Sequence, residues 1–213
     1  MGEPFREGGW DVTDVDWDGR FGAEIQTDIT TWDYKAAFEP GHFDVVWASP
    51  DCTQYSICRT CAKTPRDFEK ADKLVQACRN IIEYLQPRCW FIENPDTGYL
   101  KTRSVVEGLP WTKVDYCMYG SKYRKRTRLW TNCTHWTPQI CDRTHLVNGK
   151  HVASAQQRPD KITKTTSDSR ETNCIDFPEH CAMRCLLCAL KEACAEMFCL
   201  LPFILAVGRI CGL

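Results

Sequence analysis

Apolar and polar positions divide the chain into short buried runs, one long amphipathic stretch and a polar remainder. Residues 43–48 (FDVVWA) are almost continuously apolar, the pattern of a strand covered on both faces of a parallel sheet, and they end in the turn signal Ser49-Pro50-Asp51. Residues 10–15 (WDVTDV) and 89–92 (CWFI) predict two more strands, and residues 114–118 and 128–131 a further pair. Between the 43–48 and 89–92 strands lies the clearest helix. Thr64-Pro65 supplies a start signal, Phe68, Ala71, Leu74, Val75, Cys78 and Ile81 recur at three- and four-residue steps, and Pro87 ends the pattern. Strand, helix, strand in this rhythm predicts a βαβ arrangement and an α/β fold with an open, mostly parallel sheet.

The pattern fades after residue 134. Residues 1–134 read as a single compact core, residues 135–180 as polar and loop-rich or disordered, and residues 181–213 as an apolar, helical C-terminal segment. The apolar run at 197–207 (MFCLLPFILAV) is too short to cross a bilayer and is broken by Pro202, so the expected protein is soluble, with no membrane partner.

Composition narrows the choice further. Lys+Arg 27 against Asp+Glu 28 gives a net charge of -1, so any nucleic-acid contact must come from a local patch. The 15 cysteines follow a polar N-terminus without the apolar run of an export signal, which predicts an intracellular, reducing compartment, nuclear in a eukaryote. Cys58-x-x-Cys61 with Cys185-x-x-Cys188 has the makings of a zinc site. Cys181, Cys185 and Cys188 have the spacing of an iron–sulfur motif. The wide separation of the first two pairs, and the few residues after Cys188, leave both unassigned, and no metal ligand is expected.

Three polar clusters fall at predicted strand ends, where open α/β sheets bind their ligands. They are Asp14, Asp16 and Asp18 around Trp17; Ser49-Pro50-Asp51-Cys52; and Glu93-Asn94-Pro95. A fourth lies in the loop from Tyr119 to Trp130, where Lys122, Arg124, Lys125, Arg126 and Arg128 supply five cations in seven residues. Alternation puts Arg124, Arg126 and Arg128 on one strand face, suited to phosphate oxygens. Taken singly, each cluster has a plain reading as a turn former, a buried thiol or a solvated basic loop.

In order, however, they resemble the DNA (cytosine-5) methyltransferase family, and in wording the short methylase-like branch found in algae, protists and large DNA viruses. The segment ASPDCTQYS is similar to the family's Pro-Cys motif, with Cys52 as nucleophile and Ser56 as the trailing serine. Glu93-Asn94-Pro95 resembles its Glu-Asn-Val motif, and Tyr119-Gly120 with Arg124-x-Arg126-x-Arg128 its Gln-x-Arg-x-Arg motif. Asp16-Trp17 looks like the family's acid for the cofactor ribose, and Asp28-Ile29 like the pair that meets the adenine.

The resemblance covers residues 4–132 and implies an open sheet of the S-adenosylmethionine-dependent methyltransferase type. It implies S-adenosylmethionine as cofactor, DNA as partner, and covalent catalysis by Cys52 on a flipped cytosine. Glu93, Asn94, Arg126 and Arg128 would then join Cys52 in the catalytic set, and Asp16, Trp17, Asp28, Ile29 and Pro50 would line the cofactor side. Asp51 stands where the family has proline and sets a negative charge beside the nucleophile, and Arg124 replaces the glutamine of the basic motif. No counterpart of the family's Phe-x-Gly-x-Gly loop precedes residue 10, so the expected core is N-terminally truncated and lacks its first strand. The alternative is a non-catalytic nucleic-acid-binding protein that keeps the methyltransferase-like fold.

Overall fold

The structure is a computed structural model that describes residues 5, 6, 9–134, 136–151 and 203–208. Seven strands form one sheet: β1 (Asp11–Asp16), β2 (Ile25–Gln26), β3 (Val45–Ser49), β4 (Cys89–Pro95), β5 (Trp111–Asp115), β6 (Arg126–Thr131) and β7 (Phe203–Gly208). A single turn of helix, α1 (Tyr34–Ala37), precedes β3, and the long helix α2 (Phe68–Leu85) joins β3 to β4.

The helix is the element the periodicity describes best. Its start lies three residues beyond Pro65, because the Asp67 side chain accepts the Lys70 N–H (2.9 Å) and caps the first turn. Gln86 ends it in the left-handed region (φ 49), donating its N–H to Ile82 O. Val75, Cys78, Ile81 and Leu85 bury that face against Val46, Ala48 and Ile92 of β3 and β4. Successive strand residues point to opposite faces, so Val45, Trp47 and Phe91 pack on the other side with Phe5, Trp10, Leu129 and Trp136. Trp47 stacks on Phe91 with ring centroids 5.0 Å apart. All five residues of β3 are buried, which accounts for its unbroken apolar run.

The strand order is β2-β1-β7-β3-β4-β6-β5. Neighbours from β2 to β4 are parallel, whereas β4–β6 and β5–β6 are antiparallel. The α/β class is as expected, but the sheet is mixed. A 3-10 turn at Tyr116–Tyr119 and Gly120 in the left-handed region (φ 94) reverse the chain between β5 and β6, so the connection needs no crossover helix.

One expectation changes at β7. Among the described residues no strand precedes β1, and β7 lies between β1 and β3, with Val12 and Val45 both in register with Ile204. Residues 203–208 form this strand rather than part of the expected C-terminal helix. A short apolar run enclosed by a strand on each side carries no amphipathic period, and periodicity cannot separate such a strand from a buried helix. The other residues of the 181–213 segment, and 152–180 before them, lie outside the described residues.

Candidate functional site

The carboxyl ends of β1, β7, β3 and β4 lie side by side along one edge of the sheet, as the parallel registers require. Just past the end of β3, Pro50 offers its carbonyl to Asn94 Nδ2 of β4 at 2.9 Å. This buried hydrogen bond joins the turn that carries Cys52 to the strand that carries Glu93. The oxygen of the same Asn94 amide, Oδ1, is buried with no hydrogen-bond partner, so this edge retains acceptor capacity. Glu93 is 1% exposed, and Lys125 Nζ is 3.9 Å from its Oε1.

Cys52 is half-buried at the start of a tight turn, where its carbonyl accepts the N–H groups of Tyr55 and Ser56, both at 2.9 Å. Asp51 is a turn former: its Oδ1 takes the Thr53 N–H (2.9 Å) and hydroxyl (2.6 Å). Beyond Cys52 the loop is held by residues the motifs did not single out. Arg66 donates to Gln54 O (2.6 Å) and Ser56 O (2.8 Å), and Tyr99 N–H donates to Tyr55 O (2.9 Å). The fully buried Tyr55 donates its hydroxyl to Asp72 Oδ1 at 2.8 Å, and Arg103 pairs with Asp72 at 2.7 Å. Burial, then Asp72, pushes the Tyr55 phenol well above its usual range, so it stays protonated and keeps donating. Long-range partners of this kind leave no local spacing signal; the i,i+4 recurrence on α2 shows which face is buried but not that Asp72 at its edge receives Tyr55.

On the β1 side, Asp16 Oδ1 accepts the Asp18 N–H (2.8 Å), and Thr27 N–H donates to Asp16 O (3.0 Å). The second bond draws the Asp28 turn to the end of β1. Trp17 is 66% exposed beside it. Asp28 is exposed and Ile29 buried; the Thr30 backbone N–H and hydroxyl hold the Asp28 carboxyl below the usual carboxylate range. Asp14 is engaged instead in an ion pair with Arg6 (2.6 Å).

The basic loop is arranged differently from a set of free phosphate ligands. Asp115, fully buried, receives Arg124 Nε at 3.1 Å, Arg126 Nε at 3.3 Å and the Cys141 N–H at 3.0 Å. Arg128 donates to Asp96 Oδ1 (2.8 Å) and lies 3.8 Å above the Trp111 ring. Arg126 and Arg128 do share a strand face, and register sets Arg128 opposite Asn94. Arg124 precedes the strand and reaches Asp115 from the loop. The acids that engage these arginines come from β5 and from the residue after β4, so the charge run alone gave no sign of them.

Over 144 residues the chain is 38% identical to the "Probable DNA (cytosine-5)-methyltransferase" of Frog virus 3 (isolate Goorha). The match covers 62% of this chain and 65% of the viral protein. Among solved structures, a "putative DNA modification methyltransferase encoded within prophage" from E. coli matches 65% of this chain and 47% of its own, at 16% sequence identity and a TM-score of 0.44. No family model matches the chain. Among the described residues, no helix is long and apolar enough to cross a membrane.

Proposed function

We propose that this chain is a DNA cytosine-5 methyltransferase whose base pocket lies at the carboxyl ends of β3 and β4 and whose cofactor side lies at those of β1 and β7. The observation that carries the reading is the Asn94–Pro50 hydrogen bond, which ties the Cys52 turn to the Glu93 strand end. The viral relative supports the same chemistry through its name.

The cofactor side fits S-adenosylmethionine. Asp16 ends β1 as an acid for the ribose, the exposed Trp17 indole offers a stacking surface, and Asp28-Ile29 sits beside them for the adenine. Gly208 ends β7 opposite Ser49, where a residue without Cβ lets backbone approach a ligand closely. The strand and glycine that sequence order did not provide before β1 would thus come from after β6, and Pro50 would border both sides. When bound, S-adenosylmethionine supplies an electrophilic methyl on a sulfonium.

The chain's own residues would act as follows. The Cys52 thiolate adds to C6 of an unstacked cytosine, forming a C–S bond and making C5 nucleophilic. Glu93 meets the N3 edge and shares the proton that neutralises charge developing there, with Lys125 nearby. With the methyl on C5 and the cofactor sulfur left as a neutral thioether, loss of the C5 proton to a base would break the C–S bond, expel the Cys52 thiolate and restore the ring. Arg128, fixed by Asp96 and Trp111, and Arg126, fixed by Asp115, would hold the nucleotide from a rigid surface.

Labelled-methyl transfer from S-adenosylmethionine to duplex DNA tests this reading, with the product identified after digestion to nucleosides. The expected product is 5-methylcytosine; label on an exocyclic nitrogen, or none with DNA binding intact, would contradict it. Gly208→Val should weaken cofactor binding at least ten-fold if the end of β7 borders the cofactor.

A further inference from the structure

Just past the carboxyl end of β5, outside the Cys52–Glu93 group, four metal-type donors converge. Cys117 lies in the 3-10 turn after β5, and Cys141, His145 and His151 lie in the segment that follows β6. One donor atom from each falls within 4.8 Å of all the others. Cys141 Sγ is 3.4 Å from His151 Nε2 and 4.0 Å from His145 Nε2. Tetrahedral zinc, with Zn–S near 2.3 Å and Zn–N near 2.0–2.1 Å, sets its donors about 3.5–3.8 Å apart. We propose that Cys117, Cys141, His145 and His151 form a structural zinc site.

The local fold explains how residues so far apart in sequence meet. Asp115 N–H donates to Gln139 O (3.1 Å), Gln139 N–H donates to Tyr119 OH (2.9 Å), and Cys141 N–H donates to Asp115 Oδ2 (3.0 Å). These bonds lay residues 139–141 along the end of β5 and bring Cys141, which is buried, against Cys117. The chain then turns back on itself: Asn148 (φ 52) and Gly149 (φ 73) are left-handed, and Val147 bridges Lys150. That turn returns His151 to His145, with ring centroids 5.1 Å apart.

Two thiolates and two imidazoles are a borderline-soft donor set that suits zinc, and four protein ligands leave no open position, which marks a structural rather than a catalytic centre. The segment gains little from apolar packing in this stretch: His145 is exposed, and of residues 142–151 none is buried. A bound ion would therefore supply what a core does elsewhere. Its placement has a consequence for the basic loop. Asp115 takes the Cys141 N–H on Oδ2 and Arg124 and Arg126 on Oδ1, so fixing Cys141 also fixes the carboxylate that orients both arginines. The sequence carries a trace of this site in Cys141-x3-His145-x5-His151, but the fourth donor lies before β6, outside any single run.

Elemental analysis of the tag-free full chain, purified in reductant with zinc in the medium, tests the site. One zinc per chain is expected, falling at least ten-fold in Cys141→Ser and His151→Ala and unchanged in Cys58→Ser and Cys185→Ser. Cobalt exchange into the wild-type chain gives a readout that does not depend on variants folding: visible bands of a tetrahedral site with thiolate ligands are expected. A wild-type chain without stoichiometric zinc would overturn the proposal, as would zinc that survives Cys141→Ser or is lost in Cys185→Ser. A Cys117–Cys141 disulfide in the reduced preparation would also overturn it.

Discussion

The parallel and antiparallel halves of the sheet treat their polar side chains in opposite ways. At the ends of β3 and β4 a buried bond from Asn94 to Pro50 joins the two strand ends, and Asn94 Oδ1 is left without a hydrogen-bond partner. In the β5–β6 half each carboxylate is surrounded by donors: Asp115 by two arginines and a backbone N–H, Asp96 by Arg128 and by Lys113 at 3.7 Å. A buried polar atom without a partner is unfavourable and is retained where a ligand completes it. An ion-pair network around buried carboxylates fixes geometry instead. On the proposed reading the first half would carry the chemistry and the second its rigid support, although the second carries the run of cations.

The largest effect should come from breaking the support. Asp115→Ala leaves two guanidinium groups side by side and removes the acceptor for Cys141 N–H. The guanidiniums are partly exposed, so the loss is below that of a fully buried pair, at about 2–3 kcal/mol. Thermal unfolding should then fall by roughly 5–10 °C. A change under 2 °C would mean that the network does not hold the loop.

A smaller effect is expected where the Cys52 turn is anchored. Tyr55→Phe removes one hydrogen bond to a charged acceptor without changing packing, for a loss of about 1.5 kcal/mol. Denaturant unfolding would measure it, and methyl transfer should slow more than cofactor binding weakens. Unchanged transfer would separate Tyr55 from the Cys52 turn.

The smallest effect concerns Asp28, whose carboxyl is held low by Thr30. A lowered folded pKa contributes stability that is present above the unfolded value and lost as pH falls through the folded one. Because Asp28 is exposed, the contribution is small, and Thr30→Val should be seen mainly in an NMR titration, with the carboxyl returning toward its ordinary value. The backbone N–H of residue 30 stays in place, so a partial upward shift is expected; no shift at all would mean that the Thr30 hydroxyl does not contribute.

These contrasts also mark what the sequence could and could not reveal. Strands β3 and β4, the helix between them, and the polar turns at their ends were legible because local period and turn chemistry determine each. Cys52 and Glu93 were singled out by the resemblance of their turns, taken in order, to family motifs, since each turn alone has a plain structural reading. The partners of Arg124, Arg126 and Arg128 were not legible, since Asp115 and Asp96 reach them only through antiparallel pairing. Strand β7 was hidden because an apolar run inserted between two strands has no face to alternate. The Cys141–His151 cluster fell in a stretch read as polar loop, where a metal rather than a core would give order.

The central claim is that the ends of β3 and β4 form a pocket in which Cys52 attacks cytosine. Its most direct test is a duplex containing 5-fluorocytosine, incubated with the full chain and S-adenosylmethionine. Fluorine at C5 blocks the final proton loss, so the thioether cannot collapse. A denaturant-stable adduct is predicted, mapped by mass spectrometry to the peptide containing Cys52 and absent in Cys52→Ala. Duplex binding without any adduct, or an adduct that persists in Cys52→Ala, would contradict the account.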